Sequence, residues 1–211
     1  MVGADGGWSD VRRFIIASKN TNGDGNGNGK KEGGEVEQRW KPDFAGVDAI
    51  YGVSKRIESA VEDGEDTGGE GEQREGDTHW VFVDGGMAST WALEEGKMFW
   101  TISLFSKTPP GREKKSPKPQ EGEDKLYGAN VSLGGYGFEE TKTALESYEN
   151  AWHPTAGNFG KLLRNSERIV RTPLWYRAWE GDEIGGGDVV VIGDAARLML
   201  PTSGQGTYFL L

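Results

Sequence analysis

The segment that most constrains this chain runs from Asp188 to Gly206, Asp-Val-Val-Val-Ile-Gly-Asp-Ala-Ala-Arg-Leu-Met-Leu-Pro-Thr-Ser-Gly-Gln-Gly. Val189 to Ile192 form an unbroken apolar run, the pattern of a strand buried on both faces in a parallel sheet. The run stops at Gly193-Asp194. A carboxylate just past the carboxyl end of such a strand stands where open α/β sheets bind ligands. Pro201 and then Gly204-Gln205-Gly206 follow. Glycines let a backbone approach a ligand closely, and a helix starting there would aim its free N–H groups at negative charge.

These residues resemble the Gly-Asp motif of the class A FAD-dependent monooxygenases, the aromatic hydroxylase family that includes para-hydroxybenzoate hydroxylase. The family pattern is Gly-Asp-Ala-Ala-His, a spacer, Pro, then Gly-Gln-Gly. Here Gly193, Asp194, Ala195, Ala196, Pro201, Gly204, Gln205 and Gly206 match. Arg197 stands in place of the His, and Tyr208 where the family often has Asn. A second stretch, Val2 to Arg12, resembles the family's Asp-Gly motif through Asp5, Gly6, Ser9 and Arg12. In chemical terms, Asp5-Gly6 ends a short strand with a turn. Ser9 is placed to cap a helix, with Asp10 in its first turn. That helix would continue through Val11, Phe14, Ile15 and Ile16.

The resemblance implies a fold of mixed α/β and α+β character. Residues 1–19 and 170–211 would belong to a Rossmann-like FAD domain, and residues 40–169 to an inserted mixed-sheet substrate domain. It implies FAD as cofactor, NADH or NADPH as reductant, and O2 as the source of one oxygen atom inserted into a small aromatic or polyketide-like substrate. By resemblance, Asp194 would hydrogen-bond ribityl or ribose hydroxyls. Gly193, Ala195, Pro201, Gly204, Gln205 and Gly206 would complete the flavin side. Asp5, Gly6 and Arg12 would lie toward the pyrophosphate. No catalytic base is assigned, because His79 and His153, the only histidines, fall in no motif and read as structural.

The family's pyrophosphate fingerprint, Gly-x-Gly-x-x-Gly between a strand and a helix, has no counterpart here. Gly135-Tyr136-Gly137 leads to Glu140 in the third glycine slot, and Gly185-Gly186-Gly187 leads to Val190. The sequence therefore reads as the middle of a hydroxylase. The alternatives are a truncated fragment that does not bind FAD alone, or half of an enzyme completed by another chain.

Between the motifs, ordered and polar stretches alternate. Glycine accounts for 34 residues while hydrophobic residues are only 35%, as expected of a folded part diluted by glycine-rich inserts. Residues 20–35, 58–77 and 107–124 have little to bury and read as irregular inserts. Within the first, Asp24, Asn26, Asn28, Gly29 and Glu35 fit the spacing of a calcium loop. Only two of these are charged ligands, and Lys30 and Lys31 lie inside the loop, so the match reads as chance. Val47, Ala49, Tyr51 and Val53 alternate as in a strand, and His79–Val83 and Lys97–Leu104 read as two more. Their aromatics suit a half-buried sheet or a cavity wall for a flat ring. Glu139 to Trp152 is predicted as a helix, with Ala144, Leu145, Tyr148, Ala151 and Trp152 on one face. Phe159, Leu162 and Leu163 form a short second helix. Ile169–Arg177 resembles the family's strand that returns from the substrate domain to the FAD domain, and Gly185 to Gly187 reads as the turn into the strand before Gly193-Asp194.

The net charge of -10 argues against a general nucleic-acid binder. Without cysteine there is no disulfide framework and no thiolate metal site. No apolar run approaches the ~18 residues of a membrane helix. Met1-Val2-Gly3 lacks the basic start and apolar stretch of a signal peptide, so a cytoplasmic protein is expected.

Overall fold

The computed structural model describes residues 1–21, 38–55, 76–83, 85–110 and 125–201. Most of the three predicted inserts, the calcium-like loop, and Gly204, Gln205 and Gly206 lie outside these described residues.

In chain order the elements begin β1 (Val2–Gly3), α1 (Asp10–Thr21), β2 (Asp43–Ser54), β3 (Thr78–Val83), β4 (Gly86–Ala92) and β5 (Met98–Phe105). Then come β6 (Lys125–Leu126), β7 (Ala129–Ser132), α2 (Phe138–Glu146), β8 (Trp152–His153), β9 (Gly157–Asn158) and α3 (Phe159–Arg164). The last are β10 (Ser166–Ala178), α4 (Gly181–Ile184), β11 (Gly185–Gly186), β12 (Val189–Val191) and β13 (Arg197–Leu198). The chain divides into two compact units, one of Met1–Ala45 with Leu174–Leu211, the other Gly46–Pro173. Each contains parallel and antiparallel pairs, so the fold is mixed α/β.

The first unit is built on a sheet in the order β1-β12-β11. β12 runs parallel to β1, with Val2 opposite Val190 and Gly3 opposite Val191. It runs antiparallel to β11. Helix α1 covers one face, where Ile15, Val191 and Ala195 form a small core with Val11, Ile184, Val189 and Ala196. Gly3 permits this contact: a Cβ there would stand 2.8 Å from Val11 Cβ, closer than packed side chains tolerate. The predicted burial of β12 on both faces is not met. Val191 is buried, but Val190 is 43% and Ile192 48% exposed. Successive side chains point to opposite faces, and among the described residues a helix covers only one of them. β13 pairs antiparallel with the end of β10 through Arg177 and Ala178.

The second unit is a larger sheet in the order β3-β4-β5-β2-β10-β7-β6. Met98, Trp100 and Ile102 of β5 share one face with Ile50, Ala88 and Ile169, and this face packs on Leu145, Tyr148, Phe159, Leu162 and Leu163. The alternation read in Lys97–Leu104 is thus the core face of β5. Strand β4 was not legible. Its sequence, Gly-Met-Ala-Ser-Thr-Trp-Ala, lacks the β-branched alternation that marks a strand, and its small residues are demanded by neighbours. A Cβ on Gly86 would lie 2.4 Å from Ser103 O and from Tyr148 Oη.

Helix α2 ends at Glu146, short of the predicted Trp152. The carbonyls of Ala151 and Glu149 accept instead from the start of α3, at Phe159 N–H (2.8 Å) and Gly160 N–H (2.9 Å). Leu145 and Tyr148 are buried as the helical face requires, whereas Trp152 is 63% exposed in a short hairpin strand. Among the described residues no helix is long and apolar enough to cross a membrane.

Candidate functional site

The parallel pairing of β1 and β12 fixes where the two motifs emerge. Asp5-Gly6 and Gly193-Asp194 both follow the carboxyl ends of paired strands, so they leave the sheet at the same end. Gly6 (φ 85°) and Gly193 (φ 60°) occupy the left-handed region that favours glycine. A Cβ on Gly6 would meet nothing within 4 Å, so the backbone there is open. Asp194 is exposed in the single turn Gly193–Ala195, above the fully buried Ala195. Among the described residues Asp194 makes no hydrogen bond or ion pair. Pro201 is exposed at the end of the described segment.

Asp5 is engaged differently. Its Oδ2 accepts from the N–H groups of Asp10 (2.8 Å) and Val11 (3.2 Å). Ser9 Oγ accepts from Arg12 N–H at 2.9 Å, the helix-capping bond predicted for it. Burial by itself would raise the Asp5 carboxyl; the Ser9 hydroxyl and the amides of Val11 and Asp10 outweigh it and hold the group below its usual range. The first-turn amides of α1 are thus satisfied by the chain's own side chains.

Arg12 is fully buried. Its Nε and Nη2 donate to Trp40 O (3.3 and 2.7 Å), Nη2 also to Gly7 O (2.7 Å), and Nη1 to Ala195 O. The guanidinium lies over the Trp179 ring, 3.3 Å from its centroid. Burial lowers its pKa to about 10, which leaves it cationic at neutral pH. One side chain therefore bridges the turn after Asp5 and the turn holding Asp194. Around it Trp8 stands edge-on to Trp40 (5.9 Å) and Trp175 (5.4 Å).

In the second unit, the sheet face away from the core carries a run of rings. Tyr51 and Phe99 have centroids 6.2 Å apart, Phe99 and Trp91 5.4 Å, and Trp91 and Trp80 6.0 Å. A cavity of about 320 Å³ opens there, lined in part by Tyr51, Val53, Phe99, Arg168 and Val170. His79 and His153 stand edge-on at 5.5 Å. His153 is buried and bonded to Thr90 Oγ1 at 3.0 Å, in keeping with the structural role predicted for it.

The core side of the same sheet holds a polar cluster that sequence reasoning missed. Arg171 Nε donates to Asp48 Oδ2 (2.7 Å), Nη1 to Thr141 Oγ1 (3.1 Å) and Nη2 to Glu140 Oε1 (3.1 Å). The guanidinium sits 3.9 Å from the Tyr136 ring centroid. Burial raises the Asp48 carboxyl, with Arg171 opposing the shift. The available signal was a charge inside each of two apolar strands, at Val47-Asp48-Ala49 and Val170-Arg171. A buried charge requires a partner.

No family model and no curated protein matches the chain. Solved structures do match in fold. HpxO from Klebsiella pneumoniae, complexed with FAD and uric acid, is 16% identical with a TM-score of 0.50, over 99% of this chain and 39% of that one. The 2,6-dihydroxypyridine-3-hydroxylase from Arthrobacter nicotinovorans is 16% identical with a TM-score of 0.53, over 97% and 44%. PqsL from Pseudomonas aeruginosa, a probable FAD-dependent monooxygenase, is 15% identical with a TM-score of 0.50, over 99% and 42%. The chain shares their fold and spans less than half of their length.

Proposed function

We propose that this chain supplies part of an FAD-dependent monooxygenase that inserts one oxygen atom of O2 into a flat aromatic or polyketide-like small molecule, using NADH or NADPH as reductant. Asp194 carries the reading. It is an exposed carboxylate with no hydrogen bond or ion pair among the described residues, at the carboxyl end of a parallel pair, where such sheets bind ligands. The ribityl and ribose hydroxyls of FAD are donors suited to it. Gly193, Ala195 and Pro201 would flank the flavin, continued by Gly204, Gln205 and Gly206. The open backbone at Gly6 would face the pyrophosphate side, with Asp5 and Arg12 shaping that turn from behind. Bound FAD supplies the redox chemistry, while these residues bind and orient it. Residues 1–45 and 174–211 would form the flavin unit and residues 46–173 the substrate unit, whose Tyr51, Phe99 and Trp91 offer an aromatic face to a flat ring. The fold shared with HpxO, solved with FAD and uric acid, supports the assignment.

No Gly-x-Gly-x-x-Gly occurs in the 211 residues, so pyrophosphate binding of that kind is not available from them. A few hydrogen bonds at ~0.5–1.5 kcal/mol each do no more than offset an association cost of ~4 kcal/mol or more, so FAD is expected to bind these residues more weakly than about millimolar, which would need ~4 kcal/mol net. The test is a titration of the 15N-labelled chain with FAD. Amide shifts at Gly6, Gly193, Asp194 and Ala195 are expected, and their loss in Asp194→Ala. An unperturbed spectrum, or equal shifts in the variant, refutes the site. Joining an upstream strand–turn–helix unit with the glycine fingerprint is expected to turn weak binding into stoichiometric binding.

A further inference from the structure

The cavity of about 320 Å³ in the second unit is lined by Tyr51, Val53, Phe99, Arg168 and Val170 among others. Ile50 and Ile169 are buried in the core, and successive residues of a strand point to opposite faces, so Tyr51, Arg168 and Val170 share the face away from it. β2 and β10 are neighbours in the sheet, and Lys55 N–H donates to Asn165 O at 3.0 Å where β2 ends and β10 begins. Gly52 allows this close pairing: a Cβ there would stand 2.6 Å from Arg168 O. Arg168 is exposed and makes no hydrogen bond, ion pair or ring contact among the described residues. Asn130, opposite it on β7, is uncharged. Glu167, the carboxylate of the lining, pairs with Lys55 at 3.2 Å. The cavity therefore offers two aromatic rings, two valine side chains and a cation with no counter-ion among the described residues.

We propose that this cavity takes a flat aromatic acid, its ring against Tyr51 and Phe99 and its carboxylate on the Arg168 guanidinium. Calling that acid a substrate rests on the monooxygenase reading above; its binding does not. The rings of Tyr51 and Phe99, 6.2 Å apart and inclined at 43°, give a flat ligand an aromatic wall. Val53 and Val170 extend the apolar surface beside it. A guanidinium presents parallel N–H donors that match the two oxygens of a carboxylate, with geometry as well as charge. An uncharged ring of the same shape fills the apolar wall equally but gives the guanidinium no counter-ion. At a net charge of -10 the protein opposes anions at long range. A preference for the acid therefore has to come from contact with Arg168, which makes that residue the one to change.

Titration of the 15N-labelled whole chain with benzoate, and separately with benzamide, tests the site. Benzoate is expected to shift the amides of Gly52, Val53, Arg168 and Val170, and to bind about tenfold or more tighter than benzamide. Arg168→Gln is expected to bring the two probes to equal affinity, and Arg168→Lys to keep part of the difference. Arg168 is exposed on a strand face, so both variants are expected to fold, with an unchanged circular dichroism spectrum. Phe99→Leu is expected to weaken both probes alike. Benzoate that leaves these amides unmoved at about 10 mM, equal affinity for the two probes in the wild-type chain, or a preference that survives Arg168→Gln overturns the proposal. FAD-induced shifts at Gly193 and Asp194 without benzoate binding would overturn it and leave the flavin reading standing. Benzoate binding without FAD-induced shifts would support the site and remove the flavin.

Discussion

Arg12 ties the turn after Asp5 to the turn holding Asp194, in addition to the pairing of the strands that lead into them. In Arg12→Ala the carbonyls of Gly7, Trp40 and Ala195 lose their donor, and Trp179 loses the group stacked on it. An unsatisfied buried acceptor costs about 1–3 kcal/mol when dry. Entering water recovers part of that, and the effects do not add, so the expected loss is about 3–5 kcal/mol. Against a total stability of ~5–15 kcal/mol that is a large fraction. Arg12→Lys keeps the charge but loses the planar fork that reaches several carbonyls at once. It is expected to cost about half as much, roughly 2 kcal/mol. Urea unfolding followed by tryptophan fluorescence reads both values. The amide signals of Gly6 and Gly193 are expected to move in Arg12→Lys under native conditions, because both turns are tied to this side chain. A loss below about 0.5 kcal/mol in Arg12→Ala, or unmoved glycine signals in Arg12→Lys, would refute the reasoning.

His153 gives a pH prediction. Its Nδ1 accepts from the N–H groups of Thr155 (3.3 Å) and Ala156 (3.1 Å), so Nε2 carries the hydrogen toward Thr90 Oγ1, and protonation would set a second N–H against two donors. Burial, then the neighbouring His79, lowers its pKa from 6.5 to about 4. The unfolded chain therefore takes up this proton first, and stability is full above pH 6.5 and falls as pH drops toward 4. At about 1.4 kcal/mol per unit the loss is roughly 3 kcal/mol. Urea midpoints at the two ends of that window check it, with His153→Asn expected to lack this component and an equal fall in both proteins counting against it. For the pair in the second unit, Asp48→Asn or Arg171→Met alone is expected to cost about 3–5 kcal/mol. The double variant Asp48→Leu with Arg171→Met is expected to recover much of that, and additive losses in a denaturation cycle would show that the two charges are not coupled.

What could be read from the sequence was the part governed by local rules. Ser9 as a cap, the helix through Ile15 and Ile16 and the core face of β5 depend on spacing within a few residues. What escaped depended on partners far away in sequence. β4 is a strand because β3 and β5 pair with it on both sides, and Ser103 and Tyr148 leave room only for glycine at position 86. α2 stops at Glu146, where Tyr148 and Glu149 N–H turn back to Leu145 O and Glu146 O, and the carbonyls of Glu149 and Ala151 beyond it accept from the start of α3. Asp48 and Arg171 are 123 residues apart, and nothing beside either one names the other. The exposed side of β12 escaped for the converse reason. An apolar run predicts burial, but the structure must supply two covering layers before both faces are buried.

The motif residues divide by what they do for the chain itself. Gly6 and Gly193 take left-handed turns. Asp5 and Ser9 satisfy the start of α1, and Arg12 fastens the two turns together. Each would be retained for folding alone, so none distinguishes a cofactor site from an inherited backbone path. Asp194 differs, because its carboxylate is exposed and unpaired among the described residues. Folding does not explain why that position holds an acid. Asp194→Ala is therefore expected to leave stability within about 0.5 kcal/mol while abolishing the FAD-induced amide shifts at Gly193 and Ala195. A variant that loses stability and keeps those shifts would place Asp194 with the structural residues and remove the chain's best claim to a flavin.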